Sequence, residues 1–311
     1  MRAFMVPEFG AAGGVGERPL PEPGEGEVLV KVKAASVNAM DPVYRSGMFK
    51  DYMEHRLPLT PGIDYAGTVT AVGPGVTGVA VGDEVFGEVG KAYVGEGSFA
   101  EYVTVASRLA TPRPASVSPE QAAALPRAGG TALAAVDAVG GAAGDSIAIV
   151  GAAGGVGSMA VQIATHRGLR VIAVTKGEHA DFVRGLGAAA VLDYEAGDTL
   201  GQLQAAVPDG LAGIVDLSDD AAGAAALAPA VRAGGRIVGP RARGIEEILG
   251  DGPVSGKAVT FAPDRAGELA SLAAEGALTA PIEIVPLEQA AKAIDRQASR
   301  QVRGKLVLAV D

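Results

Sequence analysis

The sequence predicts an α/β protein of two domains, one a β-barrel-type domain and the other a doubly wound parallel sheet. Three observations predict it. Short strand-like runs broken by glycine and proline fill the first third of the chain. Strands and helices alternate after Ser118, and a glycine-packed turn joins one of those strands to one of those helices. A chain of 311 residues is long enough for both domains.

In the part before about Ala115, residues 28–34 alternate with the period-two pattern of a half-buried strand. Further strands are expected at 67–72, 83–89 and 99–105, separated by turn signals such as Gly73-Pro74-Gly75 and Gly82-Asp83. Such a run suggests a partly closed barrel.

The pattern changes at Ser118-Pro119-Glu120-Gln121, where serine serves as N-cap, proline takes the first helical position and glutamine completes a capping box. Strands are then expected at 146–150, 170–175, 189–192, 214–217 and 236–238, with 259–261 a candidate sixth. Helices at 155–166, 179–186, 199–207 and 221–231 lie between them. This spacing implies right-handed crossovers and a parallel sheet. The tail, with helices at 265–275 and 287–297 and a strand at 305–310, is too small for a domain of its own and is expected to complete the first. The expected domains are therefore 1–120 with 262–311, and 121–261.

Residues 145–164 carry the strongest chemical signal. The spacing Ala152-x-Gly154-x-x-Gly157, followed by an apolar helix, is a dinucleotide fingerprint with alanine at the first glycine position. Glycines there allow a sharp turn, a close pyrophosphate and tight helix packing, while the helix N-terminus offers free N–H groups to negative charge. Ala152, Gly154, Gly155, Val156 and Gly157 are the expected phosphate-binding residues. The chain supplies its own control, because Gly-Ala-Ala-Gly-Gly-Val-Gly also occurs at 10–16. That copy leads into Pro19, Pro21 and Pro23, which cannot continue a helix, so it is expected to be a loop that binds nothing.

Composition narrows the classes. A net charge of −10 argues against nucleic acid as a partner. No cysteine is present, which removes disulfides, thiolate nucleophiles and cysteine-based zinc sites. No signal-like or bilayer-spanning apolar run occurs, so no membrane association and a cytoplasmic setting are expected. His55, His166 and His179 are scattered, and no Ser/His/Asp set emerges. At the end of the strand after the fingerprint stand Thr175 and Lys176, with His179 just beyond, where NAD-preferring sites place an acid. A hydroxyl and a cation suit a 2′-phosphate, so NADPH is the expected cofactor; Glu178 is an unfavourable neighbour.

Motifs along nearly the whole chain carry a resemblance. They include Ala35-Ser36-Val37-Asn38-Ala39-Met40-Asp41, Pro61-Gly62-Ile63-Asp64-Tyr65-Ala66-Gly67, Gly82-Asp83-Glu84-Val85-Phe86-Gly87, Gly130-Thr131-Ala132, the fingerprint, and Arg303-Gly304-Lys305. In this order they resemble the zinc-independent, quinone-oxidoreductase-like branch of the medium-chain dehydrogenase/reductase superfamily. The resemblance implies a GroES-like barrel domain, an inserted Rossmann domain and a homodimer joined through the nucleotide-domain sheets. Zinc relatives place a cysteine near Asn38 and a histidine near Ile63, and neither is present, so no metal is expected.

The implied reaction is hydride transfer from NADPH to a small conjugated acceptor. By the same resemblance Asn38 lies by the nicotinamide and orients it or donates to the acceptor oxygen. Tyr44 is the candidate proton donor with Tyr65 as substitute, and Thr131 and Tyr194 flank the cofactor. Thr131 otherwise reads as an N-cap, and Asp64 as a structural turn residue. Two loops depart from the pattern: Ser218-Asp219-Asp220 follows Asp216-Leu217 where relatives carry glycines, and Pro240-Arg241-Ala242-Arg243 follows the next strand. Those departures motivate a competing reading, a non-redox cyclase or isomerase or a nucleotide-responsive binding protein on the same scaffold.

Overall fold

The computed structural model describes residues 1–261 and 263–310. The chain divides into two compact units, Met1–Arg127 with Pro263–Asp311, and Ala128–Ala262. The boundary expected at residue 262 falls outside the described residues.

The first unit is built on a seven-stranded sheet in the order Ile282–Pro286, Lys305–Ala309, Glu27–Ser36, Asp64–Val72, Glu84–Glu88, Thr111–Pro112, with Tyr102–Ala106 also paired to Glu27–Ser36. Glu27–Ser36 pairs antiparallel with Asp64–Val72 through two register shifts, at Leu29/Val30 and Val32/Ala34. Such bulges sharpen local twist and let a long strand bend, which curves the sheet around Val30, Tyr65, Leu59, Phe99 and Leu306. The tail strand Lys305–Ala309 pairs antiparallel with Glu27–Ser36, bringing the end of the chain beside Val37 and Asn38. Its other neighbour, Ile282–Pro286, is absent from the sequence expectation, because three of its five residues, Glu283, Ile284 and Pro286, are exposed and its alternation is weak.

The second unit is a six-stranded parallel sheet in the order Ala190–Asp193, Arg170–Thr175, Ser146–Val150, Leu211–Asp216, Val231–Gly239, Ser255–Ala258. That is the doubly wound order, with the first strand at the switch point. Ser146–Val150, the helix Gly155–His166 and Arg170–Thr175 fall where the periodicity places them.

Several local expectations are corrected. The first copy of the heptapeptide is not only a loop: Gly14–Glu17 pairs with Arg2–Met5 as a hairpin, so three of its residues lie in a strand. Ser118 does cap Pro119–Ala124 through the Gln121 amide, but the Gln121 side chain turns away to exchange hydrogen bonds with the backbone of Ala280. The capping box is therefore half-formed. The helix from Ala221 ends at Ala226 and a 3-10 turn takes over at Ala228–Ala230, because Pro229 has no N–H to extend the helix. The sixth strand is Ser255–Ala258 rather than 259–261; glycine and lysine in it dilute the apolar signal of an edge strand. No helix among the described residues is long and apolar enough to cross a membrane.

Candidate functional site

In the Ala128–Ala262 unit the fingerprint loop sits at the carboxyl end of the sheet. Gly151 takes a positive φ of 79°, and its amide and that of Ala152 both donate to the Val174 carbonyl. The sharp turn is thus made one residue before the fingerprint begins, which is why alanine serves at 152. Gly157 is needed for packing: a Cβ there would meet the Gly151 carbonyl oxygen at 2.2 Å. Gly154 is different. Its backbone is extended (φ −75°, ψ 177°), and a Cβ would find no neighbour nearer than 3.5 Å. Neither turn nor packing requires glycine at 154; as the helix N-cap it is favoured over alanine, and its bare backbone leaves room for close approach by a ligand. The helix that follows has no side-chain cap, and the amides of Gly155, Val156 and Gly157 have no intrahelical acceptor. A pyrophosphate fits this cradle.

One strand over, Thr175 is buried, and its carbonyl accepts from the Tyr194 amide. Lys176 follows it, but its ammonium is paired with Glu195 at 3.1 Å, and that contact raises its pKa. His179 lies in a short 3-10 turn with its ring 3.9 Å from the Glu178 carboxylate. Tyr194 is exposed. Thr131 is the sixth residue of the helix Pro126–Val139 and is not an N-cap. On the strand beyond the fingerprint, Asp216 is buried; its Oδ1 accepts from the Ser218 and Asp219 amides, while Oδ2 has no partner. Burial pushes its carboxyl above the usual range against those two hydrogen bonds. Asp220 caps the helix Ala221–Ala226 through the Ala222 and Gly223 amides. The acids that replace the expected glycines therefore hold backbone amides.

The other unit gathers a buried ionisable cluster. Asn38 is buried at the start of the helix Met40–Ser46, and its amide is fully engaged. Nδ2 donates to the Ser36 carbonyl and to Asp64 Oδ2, at 3.2 and 3.0 Å, and Oδ1 accepts from Lys305 Nζ at 2.6 Å. An ammonium has only donors, so the atom it faces must be the amide oxygen. Asp41 accepts from the Asn38 and Gly62 amides. Asp64 also accepts from the Ser36 hydroxyl and the Arg127 amide. Burial raises Asp41 to about 7 despite its hydrogen bonds, raises Asp64, and lowers Lys305, whose ammonium Asp64 and Asp41 support. Beside the cluster a pocket is lined by Tyr44, Ile63, Glu88, Val89, Tyr93 and Arg127, among others. Tyr44 packs edge-on to His55, and burial raises its hydroxyl.

Residues 24–115 match the alcohol dehydrogenase GroES-like domain family, and residues 186–308 match the zinc-binding dehydrogenase family. A crystal structure of an NAD-dependent alcohol dehydrogenase superposes with a TM-score of 0.89 at 31% identity, covering 100% of both chains. Among curated proteins, quinone-oxidoreductase QR1 of Triphysaria versicolor is 36% identical over 63% of this chain and 61% of its own length. The NADPH-dependent alkenal/one oxidoreductase of Arabidopsis thaliana is 36% identical over 56% of this chain and 47% of its own length. The chain belongs to the medium-chain dehydrogenase/reductase superfamily, in its quinone-oxidoreductase-like branch. The matched stretch spans about 60% or less of these curated relatives.

Within this superfamily member, the fingerprint residues and Thr175 are brought to one sheet edge, and Asn38 and Tyr44 to one region of the GroES-like unit. Tyr65 is corrected. It alternates with Asp64 on the strand and so points to the opposite face, where its fully buried hydroxyl reaches the Leu109 carbonyl at 3.3 Å. It is a core residue with no access to an acceptor. Asn38 as hydrogen-bond donor to an acceptor oxygen is also corrected, since both its amide hydrogens are spent. Sequence reading missed Glu88, Arg127, Lys305 and Glu195. Each is an ordinary charged residue in its own segment, and only the fold shows its neighbours. Among the described residues no group of three or more His, Cys, Asp or Glu side chains is arranged to hold a metal ion.

Proposed function

We propose that this chain is an NADPH-dependent, metal-independent reductase that transfers hydride to a quinone or to an α,β-unsaturated carbonyl. The observation that carries the reading is the cradle at Gly154, open to a ligand where neither turn nor packing needs glycine, above an uncapped helix N-terminus. The names of the relatives, a quinone oxidoreductase and an alkenal/one oxidoreductase, support the acceptor class.

When bound, the nicotinamide supplies the hydride, and the rest of the work falls to the protein. Gly154, Gly155, Val156 and Gly157 would hold the pyrophosphate against backbone amides, and Ala152 and Thr131 would also contact the cofactor. Thr175 and Lys176, with His179 and Tyr194 at the rim, would take the 2′-phosphate. The Lys176–Glu195 pair, half-buried at the lysine and exposed at the glutamate, is weakly held and opens to a doubly charged phosphate. In the GroES-like unit Asn38 orients rather than donates, its amide locked by Lys305 and Asp64, and Tyr44 contributes a hydroxyl to the pocket. In this reading 121–261 serves as nucleotide-binding domain and 1–120 with 262–311 as catalytic domain. Two chains pair through the nucleotide-binding sheets, in each of which Ser255–Ala258 is an edge strand.

The absence of cysteine, with Asn38 and Ile63 at the positions where zinc relatives carry ligands, favours a reaction that needs no Lewis acid. The competing non-redox reading draws on two loops, Ser218–Asp220 and Pro240–Arg243; in the first, Asp216 and Asp220 hold backbone amides, which gives its acids a structural role. Calorimetric titration with NADPH and NADH, followed by NADPH oxidation with a panel of quinones and enones, tests the proposal. Tight NADPH binding with steady turnover is expected. Binding without turnover across the panel, or substrate conversion that needs no nucleotide, overturns it.

A further inference from the structure

Five ionisable groups lie together in the GroES-like unit: the carboxyls of Asp41, Asp64 and Glu88 and the cations of Lys305 and Arg127. With three acids against two cations in a buried place, full ionisation leaves an uncompensated charge, and a proton on one carboxyl removes it. Hydrogen-bond accounting says which one. Asp41 and Asp64 each accept from backbone amides, and Asp64 from two side chains as well, all of which favour the charged form. Glu88 lacks such support. Its Oε1 stands 2.8 Å from Arg127 Nε, but the N–H is not aimed at it, so the contact is an ion pair without an aligned hydrogen bond. Glu88 is also the cross-strand partner of Asp64, whose charge opposes its own. Asp41 and Asp64 are fully buried, whereas Glu88 lines the pocket with Tyr44 and Ile63.

We propose that Glu88 is the proton donor of this pocket, delivering its proton to the reduced acceptor while the Arg127 guanidinium stabilises the carboxylate left behind. The inference rests on the reductase reading. For an enone, hydride from reduced nicotinamide forms the new C–H bond at the β-carbon and the electron pair moves to the enolate. The Glu88 O–H bond then breaks as the α-carbon takes the proton, giving the saturated ketone, and solvent reprotonates the carboxylate. Burial and the neighbouring Asp64 push the Glu88 carboxyl up to about 8 against the pull of Arg127 and Lys305, which keeps the proton in place at neutral pH. Those three groups set it, and Tyr44, Lys91, Tyr93 and Glu96 are the other titratable or charged residues that line the pocket.

The test uses Glu88→Gln, near-isosteric and unable to release a proton. With reduced nicotinamide and a cyclic enone in D2O, the wild type is expected to place solvent deuterium on one face of the α-carbon. The variant is expected to lose that facial selectivity and about 10²-fold in turnover, while hydride still enters one face of the β-carbon. Retained rate and α-face selectivity in the variant overturn the proposal and leave the reductase reading standing; a wild type inactive on every quinone and enone overturns the reading itself. Infrared difference spectra of the nucleotide-free protein give a readout apart from turnover. A protonated-carboxyl band that titrates near 8 is expected in the wild type and missing in Glu88→Gln, apart from any band of Asp41, which titrates lower, and an unchanged band near 8 in the variant overturns the assignment. Should Glu88→Gln not fold, Arg127→Met is expected to move the loss of that band to higher pH, and an unmoved band counts against the proposal.

Discussion

Lys305 Nζ lies 2.6 Å from Asn38 Oδ1 and 2.8 Å from the Val37 carbonyl, so a strand at the end of the chain holds a loop near its beginning. The ammonium is buried and offset by Asp64 and Asp41, and burial would otherwise discharge it.

Removing that cation while leaving the acids is expected to be severe. Lys305→Met should lower stability by about 3–5 kcal/mol, because buried carboxylates lose their partner. Urea denaturation checks this. The double variant Lys305→Met/Asp64→Asn should recover part of the loss, since it also removes a stranded charge.

Two glycines of the fingerprint should separate packing from ligand contact. Gly157→Ala drives a methyl into the Gly151 carbonyl and should cost about 1–3 kcal/mol of stability. Gly154→Ala makes only an ordinary van der Waals contact with the Gly151 carbonyl oxygen at 3.5 Å, and at this N-cap should cost about 1 kcal/mol or less while weakening nucleotide binding. Melting curves paired with calorimetric titration distinguish the two.

Cofactor preference is expected to turn on the Lys176–Glu195 pair. Lys176→Ala should lower the NADPH/NADH affinity ratio by about tenfold, and Glu195→Gln should raise it by releasing the ammonium to the 2′-phosphate. An unchanged ratio in both variants removes Lys176 from the phosphate site.

Acid stability should depend on Glu84. Partial burial raises its carboxyl, but hydrogen bonds from Thr68, Arg113 and Lys33 outweigh that and bring it down to about 2 from 4.5. A folded pKa below the unfolded one gives stability that is full above 4.5 and lost as pH falls towards 2. Wild-type stability should therefore drop more steeply across that window than that of Glu84→Gln, as equilibrium unfolding at stepped pH would show.

The parallel sheet was readable because each of its central strands is a short apolar run bounded by turn residues, and 3.6-residue periodicity marks the helices between them. Strands such as Ile282–Pro286 and Ser255–Ala258 were not, because edge positions tolerate glutamate, lysine and glycine and leave no alternation. Gln121 shows the same limit at the scale of one side chain: local spacing offered a capping box, and a contact 159 residues away took the amide.

For this protein, the sequence alone determined the doubly wound sheet, the glycine-rich turn with its dinucleotide-fingerprint spacing and the absence of thiolate ligands, since these follow from local periodicity, backbone freedom and residue inventory. Tertiary structure decided the electrostatics. Asn38 is a locked amide only because Lys305 and Asp64 arrive from distant strands, Tyr65 is core because the pleat turns it away from Asp64, and Glu88 carries an unsupported proton only where Asp64 faces it across the sheet. Charge interactions act through space and burial, and neither is written in the order of residues along the chain.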